Sequence, residues 1–278
     1  MRRLGGLAAI LTLAALLAAC GGDGDGGGER ASEAPQGDGG TPVALAARAT
    51  AEEESYRSSV VLEYAGSAGD VRIEGEGEFQ AEPPRGRMTM EVVQAGERSD
   101  VAGTEILYDG RVLYMTASGS AGAPERRWVA MDLGERGRLG QLSGFDGTDP
   151  GQALAFLGAA GEAEEVGTTE VRGEETTQYR LTVDLREAAE LSQEYRGVIE
   201  QTLQAGGAAE VPTDVWVDGD GRVRRVRMVY DGVPTAAGTA VDVTVTTELY
   251  DFGAEVDVEP PPADRVLNLG GSVTGGTP

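Results

Sequence analysis

The chain has no histidine and no lysine, and its single cysteine is Cys20. Without histidine there is no Ser-His-Asp triad and no Cys-His dyad, and without lysine no Ser-Lys pair. One cysteine and no histidine exclude the usual zinc sites, and also a disulfide within the chain. Carboxylates, tyrosines and arginines are all that remain for catalysis, which removes most hydrolase and redox classes. Aromatic residues are scarce, at 5% of the chain, so a sugar cleft lined by aromatic platforms is not expected. Positive charge is scarce too. The 23 cations are all arginine, against 47 acidic residues, for a formal net charge of −24. No nucleic-acid partner is expected, since affinity for it rests on neutralising phosphates. Attraction to anionic lipid headgroups is not expected on the same ground, and the charge reads as a source of solubility.

Long apolar runs are also missing, with one exception. After Met1-Arg2-Arg3 comes an uncharged stretch of sixteen residues, Leu4 to Ala19. As a helix it spans roughly 24 Å at ~1.5 Å per residue, short of the ~30 Å hydrocarbon core. A basic head, a short apolar run and small residues before a break are the parts of a secretory signal peptide, here residues 1–19. A membrane-spanning anchor is the alternative, and the length argues against it. Leu17-Ala18-Ala19-Cys20 resembles the bacterial lipobox, in which the cysteine receives an acyl lipid (of the palmitate type) and becomes the first residue of the mature chain. Cys20 is therefore the expected lipidation site. Residues 20–41 are glycine-rich with no large apolar side chain, and are expected to form a flexible tether. A second glycine-rich stretch, 268–278, is expected to be a disordered tail.

Between them, residues 42–267 suffice for one sizeable domain. A short helix is expected over 43–54, with Thr41 as cap and Pro42 in the first turn. The period then changes to two. In "DVRIEGEGEFQ", Val71, Ile73, Gly75, Gly77 and Phe79 share one face, and Asp70, Arg72, Glu74, Glu76 and Glu78 the other. In "SVVLEY" and "RMTMEVVQ", Val60, Leu62 and Tyr64, then Met88, Met90 and Val92, fall in phase. Strands with one dry and one wet face indicate an antiparallel sheet. "RVLYMTA" and "RRWVAMDL" extend the meander. Asp149-Pro150 caps an expected helix over "GQALAFLGAA". "EAEEVGTTEVR" and "TTQYRLTVDL" are strands, and one long helix is expected from Arg186 to about Gln204. "VPTDVWV", "RVRRVRMVY" and "TAVDVTVTTELYDF" complete the sheet, and "EPPPADRV" reads as a rigid exit.

Several patterns invite a functional reading. Glu74, Glu76 and Glu78 form a carboxylate ladder, but on a strand their better reading is a solvated face. Asp218-Gly219-Asp220-Gly221 suggests calcium, yet the twelfth position is Val229 where an EF-hand loop needs glutamate, so a hairpin turn is expected. Asp109-Gly110 and Asp231-Gly232 are read the same way. The basic run Arg222, Arg224, Arg225 and Arg227 is read as cross-strand pairing with acidic neighbours, with an anion contact as the alternative. Met88, Met90, Met115 and Met228 lie on the strands. Methionine suits irregular apolar guests, so the dry face bounds either an apolar cavity or a filled core.

The order of elements, with "YDGRVLYM", "DPGQALAFL", "TTQYRLTVDL", "VPTDVWVDGDGRVRRVRM" and "LYDFGAEVDVEPPPADRV", resembles the LppX/LprA/LprF/LprG-type actinobacterial lipoproteins, which share the LolA/LolB-like fold. The resemblance implies an α+β, mainly antiparallel fold: a curved, half-open β-barrel with helices covering the concave face around an apolar cavity. It implies binding of the acyl chains of a lipid or lipoglycan, and their carriage or presentation in the cell envelope, by a protein tethered to the extracytoplasmic face of the membrane. No catalytic residue, metal or cofactor is implied; the lipid is the ligand. A membrane transporter or other envelope protein would be the partner. Carried onto this sequence, the cavity wall comprises Leu62, Val71, Ile73, Phe79, Met88, Met90, Val92, Leu113, Met115, Leu154, Leu157, Leu181, Val183, Leu191, Tyr195 and Val198. The alternative is a sensing or interaction module of the same fold with a filled core, acting through a protein partner.

Cys20→Ala is expected to release the protein from membranes, because stable anchoring needs the acyl chains that the cysteine would carry. Fractionation of a bacterial host after a salt wash checks this. Retention of the variant with the membranes would show that Cys20 is not the main anchor.

Overall fold

The computed structural model describes residues 40–67, 69–94, 97–98, 103–110, 112–117, 127–132, 150–158, 161–191, 196–204, 206–234 and 239–268. The expected signal peptide, Cys20, the tether up to residue 39 and nearly all of the expected tail lie outside these residues, as does Asp149. The chain opens with α1 (Pro42–Ala51), where Pro42 takes the first helical position and the Thr41 side chain accepts from the Ala44 N–H at 3.2 Å. Then come β1 (Ser55–Ala65), β2 (Val71–Gln80), β3 (Arg85–Gln94), the short β4 (Glu97–Arg98), β5 (Thr104–Asp109), β6 (Val112–Ala117) and β7 (Arg127–Asp132). Next are α2 (Pro150–Leu157), β8 (Glu164–Val171), β9 (Glu174–Asp184), α3 (Leu185–Leu191) and α4 (Arg196–Gln204). The last elements are β10 (Glu210–Asp218), β11 (Val223–Pro234), β12 (Ala240–Tyr250) and β13 (Val266–Asn268), the last entered through a single 3-10 turn at Ala263–Arg265. No helix among the described residues is long and apolar enough to cross a membrane.

The strands form one sheet in the order β13-β7-β6-β5-β3-β2-β1-β12-β11-β10-β9-β8, with β4 alongside β3. The path has two ends and does not close. Pairing is antiparallel throughout except for β13, which runs parallel to β7. The fold is thus α+β and mainly antiparallel, with helices on one face of an open sheet. Registers confirm the expected phase. Leu62 lies opposite Ile73, and Ile73 opposite Val92; Gly75 lies opposite Met90, and Gly77 opposite Met88.

Three local expectations are corrected. The long helix over 186–204 is two helices, α3 and α4, packed against each other, with 192–195 outside the described residues. Asp231-Gly232 is not a hairpin turn. It is a bulge within β11, where the register shifts between Tyr230 and Val233, Gly232 has φ +67°, and its N–H donates to Asp242 Oδ1 at 2.9 Å. The exit after the prolines does not leave the domain, because Val266–Asn268 returns to the sheet as β13.

The helices lie mainly over β9–β12. Small residues let α1 approach closely: Ala46 and Ala47 are buried beside Val43. Thr50 fixes the contact. Its hydroxyl donates to the Ala46 carbonyl at 2.7 Å and accepts from the Val223 N–H at 2.8 Å, joining α1 to β11 inside the core. Phe156 and Leu157 of α2, Leu185 and Ala188 of α3, and Ile199 of α4 complete the layer.

Glycines shape the other half of the sheet. The Phe79 ring lies along β2 and β3 above two of them. A methyl group at Gly86 would sit 2.6 Å from Phe79 Cδ1, and one at Gly77 would sit 2.7 Å from the Arg87 carbonyl oxygen and 2.8 Å from Phe79 Cε2. Gly86→Ala is therefore expected to destabilise by about 1–3 kcal/mol, as overpacking does. Phe79→Leu should relieve much of that loss, because the obstacle is a side chain. It should not rescue Gly77→Ala, where the obstacle includes the backbone. Denaturation midpoints in the two double-mutant cycles check the contrast.

Candidate functional site

The apolar face of the sheet divides into a covered and an uncovered half. Under the helices, Leu62, Leu154, Leu157, Leu181 and Val183 belong to one continuous core with Val211, Val215, Val226 and Leu249. Leu157 and Val183 have no surface that water could reach, so neither faces a void in this structure; the expected cavity wall is packed solid at these two positions. Beyond β1 the cover thins. Met88 is buried in the same core, while Ile73, Phe79 and Met90 are only half-buried at its margin. Val71 and Val92 are half-buried as well, and Leu113 is buried but separate from the helix-covered core.

Two positions depart from the expected enclosure. Met115 is 38% exposed, because β6 lies beyond the strands that the helices overlie. Leu191 is 60% exposed, because α3 ends there and the expected apolar stripe does not continue as one helix. Tyr195 lies outside the described residues, and the side chain of Val198 is likewise not described.

The uncovered half has a distinctive floor. Gly75 and Gly77 leave the middle of β2 without side chains on the dry face. Met90 and Met88 lean into the gap: a methyl group at Gly75 would meet Met90 Cγ at 3.3 Å and Met88 Sδ at 3.7 Å. Flexible thioethers thus occupy the space over a glycine floor, a filling that can rearrange. Phe79 closes one end, against Tyr56 at 5.7 Å between ring centroids, with Phe252 beyond at 6.4 Å from Tyr56. Sequence periodicity placed the methionines on this face but missed other core groups. Phe156 is not marked as core by the sequence pattern, and Tyr230, whose hydroxyl donates to Met228 Sδ at 3.2 Å, reads there only as part of a strand.

The opposite face is polar and densely paired. A groove of about 380 Å³ runs over β12, β1, β2 and β3, lined among others by Ser59, Glu74, Glu76, Thr89, Arg172 and Glu248. The expected carboxylate ladder lies here, and two of its members are neutralised: Glu74 by Arg72 at 2.8 Å and Glu78 by Arg87 at 2.6 Å. The arginine run pairs with acidic neighbours. Arg225 Nε donates to Glu248 Oε1 at 2.9 Å, and Arg172 Nε donates to Glu248 Oε2 at 2.6 Å. Arg227 lies 3.8 Å from Asp214.

The Asp218 turn is a hairpin connection held by its own side chain. Asp218 Oδ1 accepts from the N–H groups of Asp220 and Arg222 at 3.0 and 2.9 Å, while Oδ2 accepts from the Arg222 and Arg224 guanidiniums at 3.2 and 2.6 Å. Both oxygens are thus occupied by donors, which is not the arrangement of a calcium loop. Burial acts to raise the Asp218 carboxyl, but the Arg222 N–H and the Arg224 guanidinium outweigh it and hold the group below the ordinary aspartate value. Glu248 behaves alike: burial opposes ionisation, and the hydrogen bonds from Arg225 and Arg172 prevail.

No family model matches the chain. An uncharacterized 31.2 kDa protein of Streptomyces griseus, from the rplA–rplJ intergenic region, is 26% identical over 171 residues, which is 55% of this chain and 53% of that protein. The chain spans about half the length of this curated relative. Among solved structures the chain is similar to lipoprotein LppX of Mycobacterium tuberculosis, with a TM-score of 0.47 and 13% identity over 78% of this chain and 96% of that one. It is also similar to LprF from Mycobacterium bovis, with a TM-score of 0.47 and 16% identity over 79% of this chain and 95% of that one.

The paired carboxylates give the fold a definite acid response. Asp218 and Glu248 are both depressed in the folded state. Their contribution is therefore present above about pH 4, the unfolded carboxylate range, and is lost as pH falls through the lower folded values. Asp218→Asn is expected to destabilise at pH 7 by about 1.5–3 kcal/mol, since charged hydrogen bonds are lost. Its thermal midpoint should also depend less on pH below about pH 4 than that of the parent protein, which a melting series across that range checks.

Proposed function

We propose that this protein is a non-enzymatic lipoprotein of the bacterial envelope that holds the acyl chains of a lipid or lipoglycan against the uncovered half of its apolar sheet face. The observation that carries the reading is the division of that face. Ile73, Met90, Val92 and Met115 keep accessible apolar surface directly beside the closed core, on strands that the helices do not mainly overlie. Contiguous apolar surface of this kind marks a binding site for another apolar body. The lining offers thioethers and aliphatic side chains, which suit a chain without polar groups. The family resemblance supplies the ligand class. The Leu17-Ala18-Ala19-Cys20 seam supplies the anchor, and with it a place on the extracytoplasmic face of the membrane. No cofactor enters this reading, and lipid delivery or presentation would involve a membrane transporter or another envelope protein.

A second reading has its own support. The part of the core under the helices is filled, as Leu157 and Val183 show, and a filled core suits an interaction module acting through a protein partner. One substitution separates the two. Val92 shares the face of Ile73, Met88 and Met90, while Val93 lies on the opposite face, where it lines a polar-edged groove of about 580 Å³. Val92→Trp is expected to abolish lipid co-purification while leaving the thermal midpoint of the delipidated protein nearly unchanged. In a filled core the same change would overpack by about 1–3 kcal/mol. Val93→Trp should leave lipid content intact. Mass spectrometry of organic extracts from the natively purified protein, together with melting curves, reads both. Absence of lipid in the parent protein, with a large midpoint loss in Val92→Trp, would favour the interaction module.

A further inference from the structure

We propose that the free edge of β8 is a docking strand for an extended basic segment of a partner protein. β8 ends the strand path, pairing with β9 on one side and with no strand on the other among the described residues. Seven of its eight residues, Glu164 to Glu170, are exposed. An unpaired edge carries a row of backbone donors and acceptors, the template to which an extended peptide adds.

The edge is fixed in place before any partner arrives. At the hairpin tip Arg172 takes a left-handed conformation, with φ 51°, followed by Gly173 with φ 87°. From there its guanidinium reaches β12 and β1. Besides the Glu248 bond it donates to Ser59 Oγ at 2.9 Å and stands 3.8 Å over the Tyr250 ring. Val171 is buried, and Thr176 Oγ1 donates to the Thr169 carbonyl at 2.8 Å. A strand pinned in this way has little ordering entropy left to lose on docking.

Charge selects the occupant. The register sets Glu165 opposite Tyr179, Thr168 opposite Thr177 and Glu170 opposite Glu175, so these residues share one face of the hairpin. Glu170 and Glu175 are like charges directly opposed, which disfavours the pairing. Neither they nor Glu165 has an ion-pair partner among the described residues. A third strand beside β8 with Lys or Arg at alternate positions would lay cations beside Glu165 and Glu170 on that face. The same carboxylates exclude a second copy of β8, which would bring more negative charge to the edge. Val166, 44% exposed at the bulge between Glu165 and Gly167, adds one apolar contact.

The test uses the full chain in detergent micelles and a synthetic eight-residue peptide of alternating Lys and Thr, with a Glu-Thr peptide as control. The Lys-Thr peptide should bind, and hydrogen exchange should slow at residues 164–171. Glu165→Lys together with Glu170→Lys should weaken binding by about tenfold or more, as reversal of interfacial charges does. Glu165→Gln with Glu170→Gln, which adds no repulsion, should weaken it less. Glu259→Lys with Glu187→Lys, both exposed positions, makes the same change in net charge away from the edge and should leave binding within about threefold. Equal loss in both charge-reversed pairs would show that the peptide responds only to net charge, and would overturn the proposal. So would binding without protection at 164–171, no binding at low salt, or protection that appears with protein concentration alone and marks a second copy as the occupant.

Discussion

An antiparallel sheet that does not close must still hide one apolar face, and the rest of this structure follows from how that is done. From β1 to β3 and from β9 to β12 the strands alternate strictly enough that one face is mainly apolar. The helices available to cover it are short, with α3 only seven residues long. They reach β9–β12 and leave β2, β3, β5 and β6 with less cover. The division between a solid core and an accessible apolar margin is therefore a matter of supply: there is more dry sheet than helix to lie on it. Small residues permit the close contact that exists, and the Thr50 hydroxyl ties α1 to β11 where the helix layer begins.

The wet face solves a different problem. A chain this acidic must place many carboxylates on adjacent strands. With every cation an arginine, each positive group is a planar fork able to serve more than one acceptor. Arg172 and Arg225 both hold Glu248, and Arg222 and Arg224 both hold Asp218. The same rings and forks stack: Phe252 lies 4.9 Å from both Arg222 and Arg224, and Trp216 lies 5.2 Å from Arg225. These contacts hold the β10–β11 turn and the β8–β9 tip. Ion pairs also join β1 to β2, β2 to β3 and β3 to β5, whereas Glu165 and Glu170 of β8 have no ion-pair partner among the described residues.

Much of this was legible in the sequence because it depends on neighbours along the chain. The two-residue period of Val71, Ile73 and Phe79 named the dry face of β2, and Thr41-Pro42 named the start of α1. Asp218-Gly219-Asp220-Gly221 named a turn, since an aspartate two residues before an N–H closes its own hydrogen bond. Other features were not legible, because their cause is distant in sequence. Asp231-Gly232 has the composition of a hairpin turn, yet β11 runs through it, since β12 supplies partners on both sides of the bulge. The apolar stripe from Ala188 to Val198 fits one helix, but α3 and α4 pack on each other instead. The residues after the prolines carry no strand signal of their own; β13 forms because β7 offers an edge.

The sequence by itself determined which catalytic side chains are missing, the phase of β1, β2, β3, β9 and β12 and the placement of the one cysteine at the end of its apolar run. These are properties of composition and of short-range periodicity. Tertiary structure alone decided which part of the dry face is closed. Leu181 of β9 and Met115 of β6 are equally apolar and sit equally well in their local patterns, yet one is buried and the other is exposed. The difference is whether a helix lies overhead, and that is set by the order of strands in the sheet, which no single strand encodes.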